Sequence, residues 1–327
     1  MLLKRSARWG FMFALAVGAA AQANVVFVAD YSNEGASEGF NDPTLGTQRK
    51  SAFEYALNIW GNYLQNSYVG ETVRVLATFD NLGGSGTSAT LGSAGPAAFK
   101  ANFSPPANPK YHTNTWYAAP LANHLKQADQ YTSGKGNEIS AFFNSDVDNG
   151  TVLGNVDFYY GTDGNAGSDE DFITVALHEV AHGLGFTGTI QSNGSFNGGY
   201  PAAFDTFLQN GGNALTGMNN SQRLAAIKSN ALYWTGADGI TGNGGTQFKL
   251  YAPSTYSSGS SVYHVDQSLT DLMTPSYQGV NHIPSARDLG ILSDIGWNII
   301  AVPEPTTFAM IGLLAAGQLL RRRSRRA

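Results

Sequence analysis

No cysteine occurs in the 327 residues, which excludes disulfide staples, thiolate metal ligands and a thiol nucleophile, and leaves no thiol to mask a metal in a latent precursor. Charge is sparse as well, with Asp, Glu, Lys and Arg making up only 13% of the chain. Histidine is rarer still: six are present, so any pairing of histidines carries information. Glutamate nearly vanishes from the second half, where the only one after Glu179 is Glu304. No apolar run reaches the ~20 residues of a comfortable helical bilayer span.

The few basic residues gather at the ends. Lys4, Arg5 and Arg8 precede an apolar run from Phe11 to Ala20 and the small-residue site Ala21-Gln22-Ala23, so residues 1–23 read as a secretory signal removed before Asn24. Over residues 299–327, Val302-Pro303-Glu304-Pro305 is followed by a largely apolar stretch from Thr306 to Leu320 and by a tail with five arginines between Arg321 and Arg326. This tripartite tail resembles a PEP-CTERM sorting signal. The resemblance implies export by a Gram-negative bacterium, processing by an exosortase, and release into or attachment at the extracellular matrix, with membrane contact only through this segment. Its basic end agrees with the positive-inside rule. Without both segments 11 basic and 23 acidic residues remain, a net charge of −12 in place of −5. Such a surface argues against nucleic acid or anionic membrane as partner.

What is present is His178-Glu179-Val180-Ala181-His182, continued by Gly183-Leu184-Gly185-Phe186. Residues four apart on an α-helix lie about 40° apart around the axis, so both imidazoles can converge on one ion while Glu179 stands beside it. Zinc takes nitrogen donors at about 2.0 Å, and a catalytic site keeps one position for water, whose proton the carboxylate can take. At this composition a fortuitous HExxH arises in about one such chain in several hundred. The flanks also fit a buried helix: Phe172, Val175, Ala176 and Val180 recur at helical spacing, Ser168-Asp169-Glu170-Asp171 supplies a cap and first-turn acids, and Gly183 and Gly185 suit a tight exit.

Two histidines and a water leave zinc one protein ligand short. A downstream glutamate is nearly excluded, because Glu304 belongs to the sorting segment. The short metzincin pattern needs a ligand six residues after the second histidine, where Gly188 offers no side chain. His264, His282 and aspartates such as Asp205 and Asp266 remain, with His264 preferred. The run Ser260-Ser261-Val262-Tyr263-His264-Val265-Asp266, followed by Asp271-Leu272-Met273-Thr274-Pro275, resembles metzincins with a long insertion before the third histidine, as in the leishmanolysin family. That resemblance implies a zinc peptidase in which Gly185 is the turn glycine, His264 the third ligand and Met273 the Met-turn methionine. In some metzincins a tyrosine beyond the Met-turn contacts the oxyanion; the candidate here, Tyr277, lies four residues after Met273 and beyond Pro275. The chain departs from leishmanolysins in having no disulfides and in a histidine-to-methionine spacing of nine residues.

The expected fold is α+β and metzincin-like, with two subdomains across a cleft. Residues 24–186 form the N-terminal catalytic subdomain, a twisted mixed sheet plus the HExxH helix. Residues 187–298 carry an inserted Gly/Ser/Asn-rich segment, the third ligand, the Met-turn and a C-terminal helix over Ser285–Asp294. Strands are expected at Asn24–Ala29, Thr72–Phe79, Glu138–Phe143 and Val156–Tyr160, one of the last two bordering the cleft, where a polypeptide substrate can add as a strand. A helix carrying Phe53, Ala56, Leu57, Trp60 and Leu64 follows the first strand, another spans Tyr117–Gln130, and Gly83–Gly95 reads as a loop. His112 and His124 lack partners at ligand spacing and read as structural. The insertion, Thr187–Ser261, reads as cleft wall and surface with a helix at Asn219–Ser229. Asp146-Val147-Asp148-Asn149-Gly150 offers oxygen donors for calcium, but it lacks a complete EF-hand pattern and reads first as a turn. The expected activity is that of a secreted zinc endopeptidase with Glu179 as general base. The competitors are a non-catalytic matrix or adhesion protein on the same fold and a metal-dependent amidase.

Overall fold

The structure, a computed structural model, describes residues 23–130 and 136–300. The expected leader up to residue 22, and the sorting segment from residue 301 on, lie outside the described residues. The architecture is mixed α+β. Strand β1 (Val26–Asp30) precedes helix α1 (Gly46–Tyr63), whose Phe53, Ala56, Leu57 and Trp60 recur at helical spacing and are all buried. Strand β2 (Thr72–Asp80) pairs in parallel with β1. A hairpin of β3 (Gly84–Ser85) and β4 (Ser88–Ala89) leads to β5 (Gly92–Pro96), then to β6 (Phe99–Lys100), which pairs with β7 (Tyr117–Ala118). After helix α2 (Ala119–Lys126), strand β8 (Ile139–Asn144) inserts between β2 and β5, parallel to the first and antiparallel to the second. The sheet order is β1-β2-β8-β5. A short parallel pair, β9 (Phe158–Tyr159) and β10 (Glu170–Asp171), delivers the chain into helix α3 (Phe172–Leu184).

Helices α1 and α3 pack on each other, and the aromatic rings between α3 and the sheet interlock. Phe143 meets Phe172 edge to face at 4.8 Å between ring centres, and Phe79 stacks on Phe172 at 5.6 Å; such pairs add about 0.5–1.5 kcal/mol beyond their buried area. The indoles of Trp60 and Trp297 donate to the carbonyls of Leu177 and Leu184 on α3.

Two expectations are corrected here. Gly83–Gly95, read as a loop, holds β3, β4 and most of β5. The strand on the open edge is β5; β8, the strand at the expected position, is interior, and β9 belongs to a separate two-stranded pair. The sequence Gly-Ser-Ala-Gly-Pro shows no apolar alternation, so this strand is specified by its pairing with β8 and by close approach to α3. A Cβ on Gly92 would fall 2.8 Å from Cγ of Glu179.

The segment after residue 187, expected as wall and surface, builds a second sheet whose apolar residues join the same continuous core. Strands β11 (Leu208–Asn210) and β12 (Asn213–Ala214) precede helix α4 (Asn220–Ala226), strand β13 (Leu232–Trp234), helix α5 (Ala237–Gly242) and strand β14 (Lys249–Leu250). The strands form an antiparallel sheet in the order β12-β11-β13-β14, over buried Phe204, Leu208, Leu232, Trp234 and Leu250. Helix α4 begins where its capping box, Asn219 with Gln222, predicts, and ends short of Ser229. Helix α6 (Ala286–Ile295) has the capping box Ser285 with Asp288, ends at Gly296 and packs on α5.

The acidic turn is spent on protein donors: Asp148 pairs with Arg49 at 2.6 Å, and Asp146 accepts from Asn81 and the Gly83 amide. His124 is buried against Glu71 at 2.7 Å.

Gly183 sits on the face of α3 that meets β8, where a Cβ would lie 2.4 Å from Cγ2 of the fully buried Ile139. In Gly183→Ala, overpacking of about 1–3 kcal/mol outweighs a helix-propensity gain of about 1 kcal/mol. Urea titration followed by circular dichroism should show a lower midpoint than wild type.

Candidate metal centre

Helix α3 is apolar around almost its whole circumference and is buried accordingly. The Asp171 carboxylate caps its first turn, accepting from the Thr174 amide at 2.7 Å and hydroxyl at 2.7 Å. The helix ends at Gly185 with φ +114°, a left-handed conformation suited to glycine, and a Cβ there would also press on Ile295 at 3.1 Å. Between these ends His178 and His182 share a face one turn apart.

His264 arrives from the second half of the chain. Its carbonyl accepts from the Tyr251 amide, and the next residue, Val265, donates to the carbonyl of Met273 at 2.9 Å. Val262 has φ +81°, a strained region for a β-branched residue that costs of order 1–3 kcal/mol. The surrounding loop brings the Ser260 carbonyl within 2.8 Å of Nδ1 of His264.

The three imidazoles converge. Their Nε2 atoms lie 3.1 Å (His178 to His264), 3.1 Å (His178 to His182) and 3.3 Å (His182 to His264) apart. Among the described residues this is the only group of three or more His, Cys, Asp or Glu side chains able to hold an ion together. Each Nδ1 faces a backbone carbonyl at 2.8 Å: Leu272 for His178, Phe186 for His182 and Ser260 for His264. A carbonyl only accepts, so each Nδ1 carries the proton and each neutral ring turns its Nε2 lone pair toward the other two. Burial holds all three rings below the usual histidine range, His182 down to about 3 with further repulsion from His178. Three lone pairs at this spacing repel unless a cation lies among them. The donor set fits zinc: Zn–N bonds of 2.0–2.1 Å in tetrahedral geometry put neighbouring nitrogens about 3.3 Å apart, and Nδ1–H to carbonyl is the usual outer support of such ligands.

Glu179 is 7% exposed and lies beside edge strand β5. Burial pushes its carboxyl up to about 8, against the opposing hydrogen bond from the Ala94 amide; a divalent cation nearby would draw it down. Met273 is fully buried, and its carbonyl accepts from the amide of Val265, next to His264.

The remaining candidates bond elsewhere. The Tyr277 hydroxyl accepts from the Asp171 amide at 3.0 Å, and seven residues, about 10 Å of helix rise, separate Asp171 from His178. That bond ties the Tyr277 hydroxyl to the helix start, while the residue lines the same cleft as the histidines. His282 bonds to Asp171 through Nε2 at 2.8 Å, at the same end, and Asp266 accepts from Ser268. Asp205, fully buried, takes four hydrogen bonds: from the Thr189 amide and hydroxyl, the Ala202 amide and the Tyr263 hydroxyl. Tyr263 in turn accepts from the Ile190 amide at 2.7 Å. This staple fixes the residue before His264 to the segment following α3, and it fills the space at Gly188, where a Cβ would fall 2.2 Å from Asp205 Oδ1. The only signal in the sequence was Asp205 itself, an acid inside the apolar run Ala203-Phe204-Asp205-Thr206-Phe207.

The histidines open on a cleft of ≈ 730 Å³, walled by residues 88–94, the exposed side of α3, the 256–261 loop and the 271–281 segment.

Residues 301–326 match the PEP-CTERM protein-sorting motif. The chain is accordingly an exported Gram-negative protein handled by an exosortase, extracellular or associated with the cell surface or matrix after sorting. No helix among the described residues is long and apolar enough to cross a membrane. No curated protein and no solved structure matches the chain.

Elemental analysis of purified protein dialysed against zinc should find about one ion per chain in wild type and in His282→Ala. In His264→Ala, which removes a direct donor, affinity should fall by more than the 10–100-fold typical of losing an outer partner.

Proposed function

We propose that the protein is a secreted zinc endopeptidase of metzincin-like design with a long insertion before its third ligand, His264. The observation that carries this reading is the convergence of three Nδ1-protonated imidazoles beside a buried carboxylate, at the floor of an open cleft next to a free sheet edge. His178, His182 and His264 would hold the ion, leaving one of four positions for water or substrate. Met273, buried and joined to the residue after His264 by a backbone hydrogen bond, would be the methionine of the Met-turn. A bound zinc ion supplies Lewis acidity toward a carbonyl oxygen and lowers the pKa of water to roughly 7.

Glu179 takes the proton of the attacking water and passes it to the departing amine. Its burial suits it to both acts near neutral pH. The exposed edge of β5 holds an extended peptide through main-chain hydrogen bonds and presents the scissile amide to Glu179, which reaches the same edge beside Gly92 and Ala94. Tyr277 has no part in this mechanism. An intact Glu179 argues against the alternative of a non-catalytic matrix or adhesion protein, which needs no base beside the metal.

Purified protein should digest denatured casein and lose that activity to a zinc chelator. Glu179→Ala should keep its zinc while kcat falls by about 10²–10⁴, the usual worth of a general base. A Glu179→Ala variant that cuts casein as fast as wild type overturns the reading.

A further inference from the structure

Resting on that reading, we infer that Glu170 makes the enzyme select a lysine or arginine as the first residue on the carboxyl side of the bond it cuts. The cleft contains three acids, Glu170, Glu179 and Asp271, and no lysine or arginine lines it. Glu179 is assigned to proton transfer, and Asp271 is paired with Arg287 and accepts from Ser285. Glu170 takes part in none of the ion pairs among the described residues. Its Oε2 is buried and accepts no hydrogen bond; of the five such side-chain atoms among the described residues, only this one belongs to a residue of the cleft. The residue itself is part-exposed and lines the cleft, and an unpaired carboxylate there offers a charge-assisted hydrogen bond to a cationic donor from the substrate.

Position along the cleft decides which substrate residue meets it. Glu170, Thr174 and His178 follow one another at intervals of four and line the cleft on one side, facing residues 274–281. Glu170, on β10 just before the cap of α3, therefore stands at the end of this trough, beyond the start of the helix as seen from the first histidine. Strand β8 runs against α3: Ile139 packs at Gly183 near the helix end, and Phe143 packs on Phe172 at its beginning. Strand β5 is antiparallel to β8, with Gly92 opposite Phe143 and Pro96 opposite Ile139, so it runs in the direction of α3. A peptide adding antiparallel to β5 then runs the other way. Its amino-terminal part lies toward His182, and its carboxyl-terminal part heads past Thr174 to Glu170.

Digestion of a proteome-derived peptide mixture, with products sequenced by mass spectrometry, tests this. Wild type should show lysine and arginine enriched at the new amino termini. For a matched pair of peptides with lysine or leucine at that position, Glu170→Gln should lower the lysine-to-leucine ratio of kcat/KM by about 10-fold or more, the worth of a charged hydrogen bond. Glu170→Lys should shift enrichment to aspartate and glutamate. Zinc content and circular dichroism matching wild type verify that each variant is folded. Cleavage without basic enrichment, enrichment only before the scissile bond, or a profile unchanged in Glu170→Gln and Glu170→Lys overturns the inference while leaving the peptidase reading intact. A wild type that cuts nothing overturns both.

Discussion

Three lone pairs facing one another across little more than 3 Å are the constraint around which the rest of this protein is arranged. Left alone they repel. Each ring is nevertheless held in place by a carbonyl that fixes its tautomer, and the three carbonyls come from separate places: the exit of α3, the loop before His264, and the residue before Met273. The metal-facing geometry is thus dictated by backbone positions in both halves of the molecule. Elements distant from the histidines, such as the indoles of Trp60 and Trp297 on α3 carbonyls, act on it by holding that backbone still.

Small residues mark where the halves meet the helix. Gly92 admits Glu179 against the sheet edge, Gly183 admits Ile139, and Gly188 admits the Asp205–Tyr263 pair. In each case the absent side chain lets a functional or supporting group approach closely, so these glycines serve contact more than flexibility. With no disulfide available, export does not bring covalent staples, and rigidity near the cleft rests on buried polar links. The Asp205 staple and the Asp171–His282 pair, at the two ends of the helix, are the clearest of these.

The parts of the fold legible in the sequence are those governed by local rules. Helix α3, its caps, and the shared face of His178 and His182 follow from spacing within a dozen residues, as do α1, the capping box of α6 and the long strand β2. His264 required a family resemblance, because nothing local distinguishes a ligand in a Ser-rich loop from a surface histidine. Strand β5 was hidden because a strand of Gly, Ser and Ala has no period to detect and is defined by its neighbour. The second sheet was hidden because its strands are two or three residues long. The bonds that Tyr277 and His282 make at the start of α3 could not be read locally, because their partners lie 106 and 111 residues away.

The third imidazole joins its partners from 82 and 86 residues along the chain, after an intervening sheet. Contacts of such separation form late, since the entropy of closing the loop must be overcome before they stabilise anything. Until β11 to β14 have paired and Asp205 has secured Tyr263, the chain carries only an incomplete pair of donors on a helix. In the peptidase proposed above, hydrolysis would therefore wait on that closure.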